Sequence, residues 1–301
     1  MIPHPAKATT GGEDACFMLS QCRVYGVFDG VGGWQSEGVN PGLFSRAFAR
    51  CTADAIKKEA GGSDDDDHAA GAGMTVDLER AMTTGLSRVS EIGTSTACLV
   101  YISSDGNLQA FNVGDSGFRL LRPSQLGSQL TVEKRSREQQ HYFNCPYQLG
   151  TRSRDTPADG DAYTASVQAG DLVVLMTDGV SDNLSDAEIC EALRSPLASG
   201  QEAAALAQTL ASLASTASHQ LHRETPFGVS ARKQGFSFPG GKPDDVTVLC
   251  VRVLEAGESA KGESNGASDA VSVKGARVAQ GNPGAANPST MQGGADFMSK
   301  L

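Results

Sequence analysis

The sequence predicts an α+β fold in which antiparallel sheets lie between layers of helices, and three observations support this. Runs such as LVVLM at 172–176 and VTVLCV at 246–251 are apolar on both strand faces, so each needs a covering layer above and below. Strand runs also follow one another closely enough to pair as hairpins, for example around the turn at Asp105 and Gly106. Finally, helical patterns interrupt the strands in couples.

The strands and helices can be placed from local patterns. The helix after Asn40 has an N-cap and a first-turn proline, and the helix after Ser185 opens with the capping-box spacing to Glu188. Apolar stripes predict two further helices, one through Leu78 to Val89 and one over 201–222. The expected strands are residues 16–19, 24–28, 96–103, 108–114, 118–122, 171–176 and 246–254.

Composition predicts one folded domain over residues 1–254 and a disordered tail over 255–301. The tail is rich in Gly, Ala, Ser and Asn, so it cannot bury enough apolar surface to offset the entropy of ordering. Within the domain, GGSDDDDHAAGAG at 61–73 is predicted to be a solvated acidic loop. Its consecutive aspartates lack the spaced ligands of a calcium loop.

Charge and cysteine usage exclude several classes of protein. The formal charge is -10 and no basic cluster is present, so nucleic acid is not an expected partner. No apolar run approaches the roughly 20 residues of a membrane span. The seven cysteines are scattered without a CxxC pair, which favours reduced thiols over a disulfide framework or zinc site. These observations do not assign the protein to one cellular compartment.

Acidic residues stand at the ends of the apolar strand runs, and this is the most informative pattern in the chain. Carboxylates brought together at strand ends repel one another unless cations neutralise them. Oxygen ligands without Cys or His beside them select hard ions such as Mg²⁺ or Mn²⁺. The acidic residues concerned are Glu13, Asp14, Asp29, Asp178, Asp244 and Asp245.

Strand pairing predicts how these carboxylates meet. A hairpin turning at Gln21 would set Glu13 opposite Asp29. Asp178 ends one strand and Asp244 begins another, so antiparallel pairing of those strands would bring both carboxylates to the same edge. The sequence therefore predicts one cleft with a metal site.

The chain resembles the metal-dependent serine/threonine protein phosphatases, called PPM or type 2C. The motifs GGEDA, FDGVGG, GTSTACLV, FNVGDSG, LMTDGVSD and PDDVTV occur in the family's order over about residues 11–254. HPAK at 4–7 and QQHYFNCPYQLG at 139–150 are similar to the branch that contains a mitochondrial phosphatase and plant relatives. The resemblance implies a four-layer αββα sandwich, with two central antiparallel sheets flanked by helices.

The resemblance also implies roles for the acidic residues. Asp29 would bridge two Mn²⁺ or Mg²⁺ ions, with Glu13 and the Gly30 carbonyl on one ion and Asp178 and Asp244 on the other. Asp14 would hold water beside them. Together with Asp178, Asp115 and Asp182 match positions that hold a weaker third ion in relatives. The implied catalytic residues are Asp14, Asp29 and Asp178.

The implied reaction is hydrolysis of phosphoserine and phosphothreonine in phosphoprotein substrates, by a hydroxide that bridges the ions. Two departures stand out. Val31 replaces a His that could protonate the leaving oxygen, and Thr9 replaces an Arg that grips the phosphate; Lys7 could substitute for this Arg in part or could be an exposed surface lysine. These departures keep open an alternative, a weak or inactive phosphatase-fold protein that binds phosphoproteins.

The chain opens at Met1 almost directly on the HPAK motif, whereas relatives have another strand upstream. Either the start is late or an edge strand is lost, and a lost edge strand would lower solubility or stability. A targeting segment would also lie upstream, so the resemblance leaves mitochondrial and cytoplasmic locations open.

Overall fold

The computed structural model describes residues 1–61, 75–124, 129–254, 271–273 and 276–281. Apart from Gly61, the predicted acidic loop at 61–73 lies outside the described residues. So does most of the predicted tail at 255–301, whose disorder stays a prediction.

The first sheet contains five antiparallel strands in the order β1-β2-β4-β5-β11. Its strands alternate between two apolar layers, so Val24 and Phe28 face one layer while Tyr25 and Val27 face the other. The strands are β1 (Asp14–Leu19), β2 (Val24–Asp29), β4 (Ala97–Ile102), β5 (Asn107–Val113) and β11 (Asp161–Ser166). Strand β3 (Thr94–Ser95) pairs separately with β10 (Leu149–Gly150).

The second sheet contains six antiparallel strands in the order β14-β15-β13-β12-β6-β7. In β12, Leu172 and Val174 face the helices, and Val173 and Leu175 face the first sheet. The strands are β6 (Gly117–Pro123), β7 (Leu130–Arg135), β12 (Leu172–Met176), β13 (Val248–Leu254), β14 (Val271–Val273) and β15 (Ala276–Gly281). A short pair, β8 (Gln140–Tyr142) and β9 (Cys145–Pro146), lies outside both sheets.

Helices cover the outer face of each sheet. The first sheet packs on α1 (Pro41–Glu59) and α2 (Leu78–Leu86), and the second packs on α4 (Asp186–Ala198) and α5 (Ala203–Ser218). The short helices α3 (Asp178–Ser181) and α6 (Pro226–Lys233) complete the set, with 3-10 turns at Pro5–Thr10, Gly32–Glu37 and Pro157–Asp159. The four layers confirm the predicted αββα sandwich.

The predicted helix starts are also confirmed. The Asn40 side chain accepts a hydrogen bond from the Gly42 N–H at 3.0 Å. In α4, the Ser185 hydroxyl and the Glu188 carboxylate form both halves of the capping box.

Two of the unpredicted strands have residues that are partly solvated. Strands β7 and β11 alternate between more and less exposed residues, so neither forms a continuous apolar run. Strands β14 and β15 pair along the edge of β13, inside the stretch for which the composition predicts disorder.

None of the helices in the described part of the chain has the length and apolarity needed to cross a bilayer.

Candidate metal centre

The hairpin of β1 and β2 sets Asp14 opposite Asp29, so the predicted pairing of Glu13 with Asp29 is wrong by one residue. The reason is the turn. Four residues, 20–23, separate the strands, and the Arg23 N–H donates to the Ser20 carbonyl at 3.0 Å. The hairpin therefore has no central residue at Gln21, and every pair shifts by one position.

Glu13 lies instead beside Gly30, whose N–H donates to the Glu13 carbonyl at 3.1 Å. A Cβ at Gly30 would lie 2.8 Å from the carbonyl oxygens of Glu13 and Pro41, so only glycine allows this close approach. The Glu13 side chain is buried and accepts a hydrogen bond from Gln35 Nε2 at 2.5 Å. Its position is thus held from both backbone and side chain.

The second half of the cluster lies where β12 ends and β13 begins. Asp178 is the first residue of α3, directly after β12, and Asp244 precedes β13. These strands pair antiparallel, with Met176 opposite Val248, which confirms the predicted pairing. The carboxyl of Asp29 lies within hydrogen-bonding reach of Asp178, which links the two sheets at the cleft.

Two threonines hold Asp14 in place. The hydroxyls of Thr177 and Thr247 donate to Asp14 Oδ2 at 2.8 and 2.7 Å. The other carboxylate oxygen, Oδ1, is buried without a hydrogen-bond partner. Asp14 therefore has one oxygen fixed by the protein and one left for a ligand or water.

Burial and mutual repulsion shift the acidity of the cluster. Burial first, and the neighbouring Asp245 charge second, raise the pKa of Asp14 well above its ordinary value. Burial and the charges of Asp14 and Asp178 likewise raise the pKa of Asp29. Burial also raises the pKa of Glu13, although Lys7 opposes the shift. Without bound cations, the carboxyl groups of the cluster therefore resist full ionisation, and bound cations would favour their charged forms.

Asp178 behaves differently because a lysine lies against it. Burial opposes ionisation of Asp178, but the Lys242 ammonium, a hydrogen bond with Asp29 and the Lys7 charge together outweigh it, and the pKa of Asp178 is lowered. Burial likewise works against the charged form of Lys242, yet the carboxylates around it raise its pKa well above the ordinary value. The two groups form a buried ion pair, with Lys242 Nζ at 2.6 Å from Asp178 Oδ2.

The predicted third-ion residues lie next to this pair. Asp115 follows β5, is buried, and has its pKa raised by burial and by the Asp178 charge. Asp182 lies one turn after Asp178, and burial raises its pKa to about 8 even though Lys242 opposes the shift. Both residues thus lie at the same end of the cleft.

Lys7, the predicted phosphate ligand, also lies among the carboxylates. Its Nζ is 2.5 Å from Glu13 Oε2, 3.1 Å from Asp244 Oδ1 and 3.6 Å from Asp245 Oδ2. Burial disfavours the charged form, but these carboxylates raise the pKa of Lys7 above its ordinary value. The ammonium therefore lies at the acidic centre itself.

The residues fit a hard dication. Buried oxygens without hydrogen-bond partners occur on Asp14 and Asp178, and the donors are carboxylates and a carbonyl, which suit Mg²⁺ or Mn²⁺. Over the described ranges, no three Asp, Glu, His or Cys side chains close around one point as they stand. Lys7 and Lys242 lie between the carboxylates.

Sequence reasoning assigned no role to two residues that matter here, although it included Asp245 among the acidic residues at strand ends. Asp245 is buried and accepts from the N–H groups of His4 and Glu13 at 2.6 and 2.7 Å, so it ties the N-terminal segment to β13. Lys242 was missed altogether. Only its place two residues before Asp244 could have drawn attention to it.

An open pocket of about 580 Å³ adjoins the centre at Val31 and Gly33. The Arg152 guanidinium lies 5.6 Å from the centre of the Trp34 ring, and the Trp34 indole N–H donates to Thr94 Oγ1 at 2.8 Å.

Comparison with known proteins gives matches to one family. The sequence profile described as Protein phosphatase 2C matches residues 7–222. The chain is 40% identical over 249 residues to probable protein phosphatase 2C 80 of Arabidopsis thaliana, covering 82% of this chain and 56% of that protein. It is 36% identical over 269 residues to the protein phosphatase PTC7 homolog of Homo sapiens, covering 83% and 82% of the two chains.

A solved structure agrees with these matches. The X-ray structure of the photosystem II phosphatase PBCP superposes with a TM-score of 0.71 at 30% identity, covering 83% of this chain and 95% of that one. The fold is the one that this phosphatase structure shows. The chain belongs to the protein phosphatase 2C family. It spans about half the length of the first Arabidopsis relatives, 56% and 52%.

Proposed function

We propose that this chain hydrolyses phosphoserine and phosphothreonine in proteins, in a reaction that depends on Mn²⁺ or Mg²⁺. The observation that carries the proposal is the convergence of carboxylates from both sheets on one cleft, where Asp14 and Asp178 each keep a buried oxygen without a partner. Family membership supports the same reaction.

In this proposal the carboxylates divide between two ions. Glu13 and the Gly30 carbonyl would hold one ion, Asp178 and Asp244 would hold the other, and Asp29 would serve both. The bound ions would acidify water and neutralise the charge of the phosphate. Asp14 acts beside them, because Thr177 and Thr247 fix one of its oxygens and the other can accept a hydrogen bond from the attacking water.

Lys7 is the proposed phosphate ligand. Its side chain reaches the centre from the Pro5–Thr10 turn and keeps a partly exposed ammonium there, with 21% of the side chain accessible. A phosphate carries two negative charges near neutral pH, so it would compete with Glu13 and Asp244 for this cation.

The test is an assay of the purified chain on a phosphothreonine peptide with and without Mn²⁺. We expect turnover that EDTA abolishes and that Asp178→Asn lowers by at least about 100-fold, because a ligand of the ions is lost. Asp54→Asn, which removes an exposed carboxylate on α1, is the matched control and should leave turnover unchanged.

Absence of turnover, or turnover that survives Asp178→Asn, would reject the proposal. A chain that binds the phosphopeptide tightly without hydrolysing it would support the inactive alternative instead. The comparisons lend no support to that alternative.

A further inference from the structure

Lys242 places an ammonium group among three of the carboxylates at one end of the cleft. Its Nζ lies 2.6 Å from Asp178 Oδ2, 2.6 Å from Asp182 Oδ2 and 3.6 Å from Asp244 Oδ2. Asp178 and Asp182 are four residues apart across α3, so their carboxylates point to the same side of the helix. The ammonium lies between them.

The lysine is held there by its own surroundings rather than by charge alone. The buried Asn183 side chain accepts from the Lys242 N–H at 2.8 Å and donates to the Lys242 carbonyl at 2.8 Å. Asn183 Nδ2 also donates to the Gly179 carbonyl at 3.0 Å, which fixes this backbone against α3. Along the side chain, the ring of Phe227 lies 5.1 Å from Nζ, a distance suited to a cation–π contact.

Phe227 also helps to fix the position of Asp182, because its N–H donates to the Asp182 carbonyl at 3.0 Å. The same residue thus positions both the aspartate and the aromatic face that the ammonium contacts. Only 17% of the Lys242 side chain is accessible. An ammonium held in this way has little freedom to leave the carboxylates.

This position is the one that a third ion would need. Asp182 and Asp178 are two of the three carboxylates that the family resemblance assigns to such an ion, and Lys242 takes an oxygen of each. A dication placed on the same oxygens would repel the ammonium strongly at this distance in a poorly solvated site. The ammonium and an ion bound between Asp178 Oδ2 and Asp182 Oδ2 therefore exclude each other, whereas the other Asp178 oxygen, Oδ1, has no hydrogen-bond partner and is left for the two-ion centre.

We propose that the Lys242 ammonium takes the place of a third metal ion, so that this chain binds the two ions of the proposed centre and occupies the oxygens between Asp178 and Asp182 with its own cation. The inference rests on the proposed function, because it presumes the two-ion centre. Lys242 acts here as a positioning residue.

Lys7 offers an internal comparison. It also contacts carboxylates, but Glu13 and Asp244 are ligands of the two proposed ions, whereas Lys242 contacts Asp182, which is not. Removing Lys7 therefore creates no additional set of unneutralised oxygens. Removing Lys242 leaves Asp178 and Asp182 facing each other with no cation between them.

The experiment counts bound Mn²⁺ per chain, by equilibrium dialysis with metal analysis, in the absence of substrate and at millimolar free Mn²⁺. The wild type should bind two ions, and Lys242→Met should bind one more. Lys7→Met should keep the wild-type count, and so should Lys242→Arg, which retains the charge. Adding Asp182→Asn to Lys242→Met should remove the additional ion.

A wild-type chain that binds three ions would overturn the inference while leaving the proposed function intact, whereas a wild type that binds none would reject the proposed function. A folded Lys242→Met that binds no additional ion, or a Lys7→Met that gains one, would also overturn it. If Lys242→Met does not fold, as judged by circular dichroism, Asp182→Asn in the wild type decides the question. An unchanged count supports the inference, and the loss of one ion overturns it.

Discussion

The hydroxyl of Thr177 donates a hydrogen bond to Oδ2 of Asp14 across 2.8 Å. Asp14 begins β1 of the first sheet and Thr177 follows β12 of the second, so this bond joins the two sheets at the mouth of the cleft. Thr177 also accepts from the Thr247 N–H at 3.1 Å. A residue outside the acidic cluster thus orients one of its carboxylates.

Thr177→Val should destabilise the protein by about 1–3 kcal/mol, because it leaves buried polar groups with fewer partners while conserving shape. Urea denaturation at neutral pH measures the loss. Thr216→Val is the matched control, since the Thr216 hydroxyl is exposed on α5 and bonds only to the Ser212 carbonyl. The control should change stability by less than about 0.5 kcal/mol. Equal effects at the two positions would contradict the role assigned to Thr177.

The metal-free protein should lose stability as pH rises from about 4 to 8. Burial raises the folded-state pKa of Asp182 to about 8, so the folded state holds a proton that the unfolded state releases near pH 3.9. That contribution is complete below the unfolded pKa and disappears as pH passes the folded one. The raised pKa values of Asp14, Asp29 and Asp115 act in the same direction, and the lowered pKa of Asp178 acts against it.

The measurement is the melting temperature with EDTA across this pH range. Asp182→Asn removes one titrating group, so its melting temperature should fall less steeply with pH than that of the wild type. Parallel curves for the two proteins would contradict the raised pKa of Asp182. Mn²⁺ should flatten the wild-type curve, because bound cations favour the ionised carboxylates.

Gly179→Ala should destabilise the protein by about 1–3 kcal/mol, because there is no room for a methyl group at this position. A Cβ at Gly179 would lie 1.9 Å from the Asp245 carbonyl oxygen, so α3 would have to move away from the residues that precede β13. Gly33→Ala is the control, since a Cβ at Gly33 meets nothing within 4 Å. Chemical denaturation of both variants checks the prediction, which fails if Gly179→Ala is as stable as Gly33→Ala.

Lys7→Met should raise the KM for a phosphothreonine peptide about 10-fold, with a smaller change in kcat, if the ammonium binds the phosphate in ground and transition states alike. Steady-state kinetics at saturating Mn²⁺ separate the two constants. Lys233→Met, at the exposed end of α6, controls for the loss of a positive charge. An unchanged KM would assign Lys7 to the carboxylates alone.

The resemblance motifs contain acidic residues that the structure brings together, because most of these motifs lie where a strand meets a loop. Asp29 and Asp178 stand where apolar runs stop, and that is visible in the local pattern. The register of β1 against β2 was not visible in the same way. The register depends on the four-residue turn and on the positive φ of 55° at Arg23. An arginine at that position does not predict a positive φ.

By itself, the sequence determined the layered architecture, the core strands, the helix starts and the acidic residues of the cleft, because alternation, capping and motif order are properties of neighbouring residues. Only the tertiary structure decided which atoms meet. The bond from Thr177 to Asp14 spans 163 positions and that from Lys242 to Asp178 spans 64. Such contacts form because two sheets close face to face, and packing of the whole core sets their geometry.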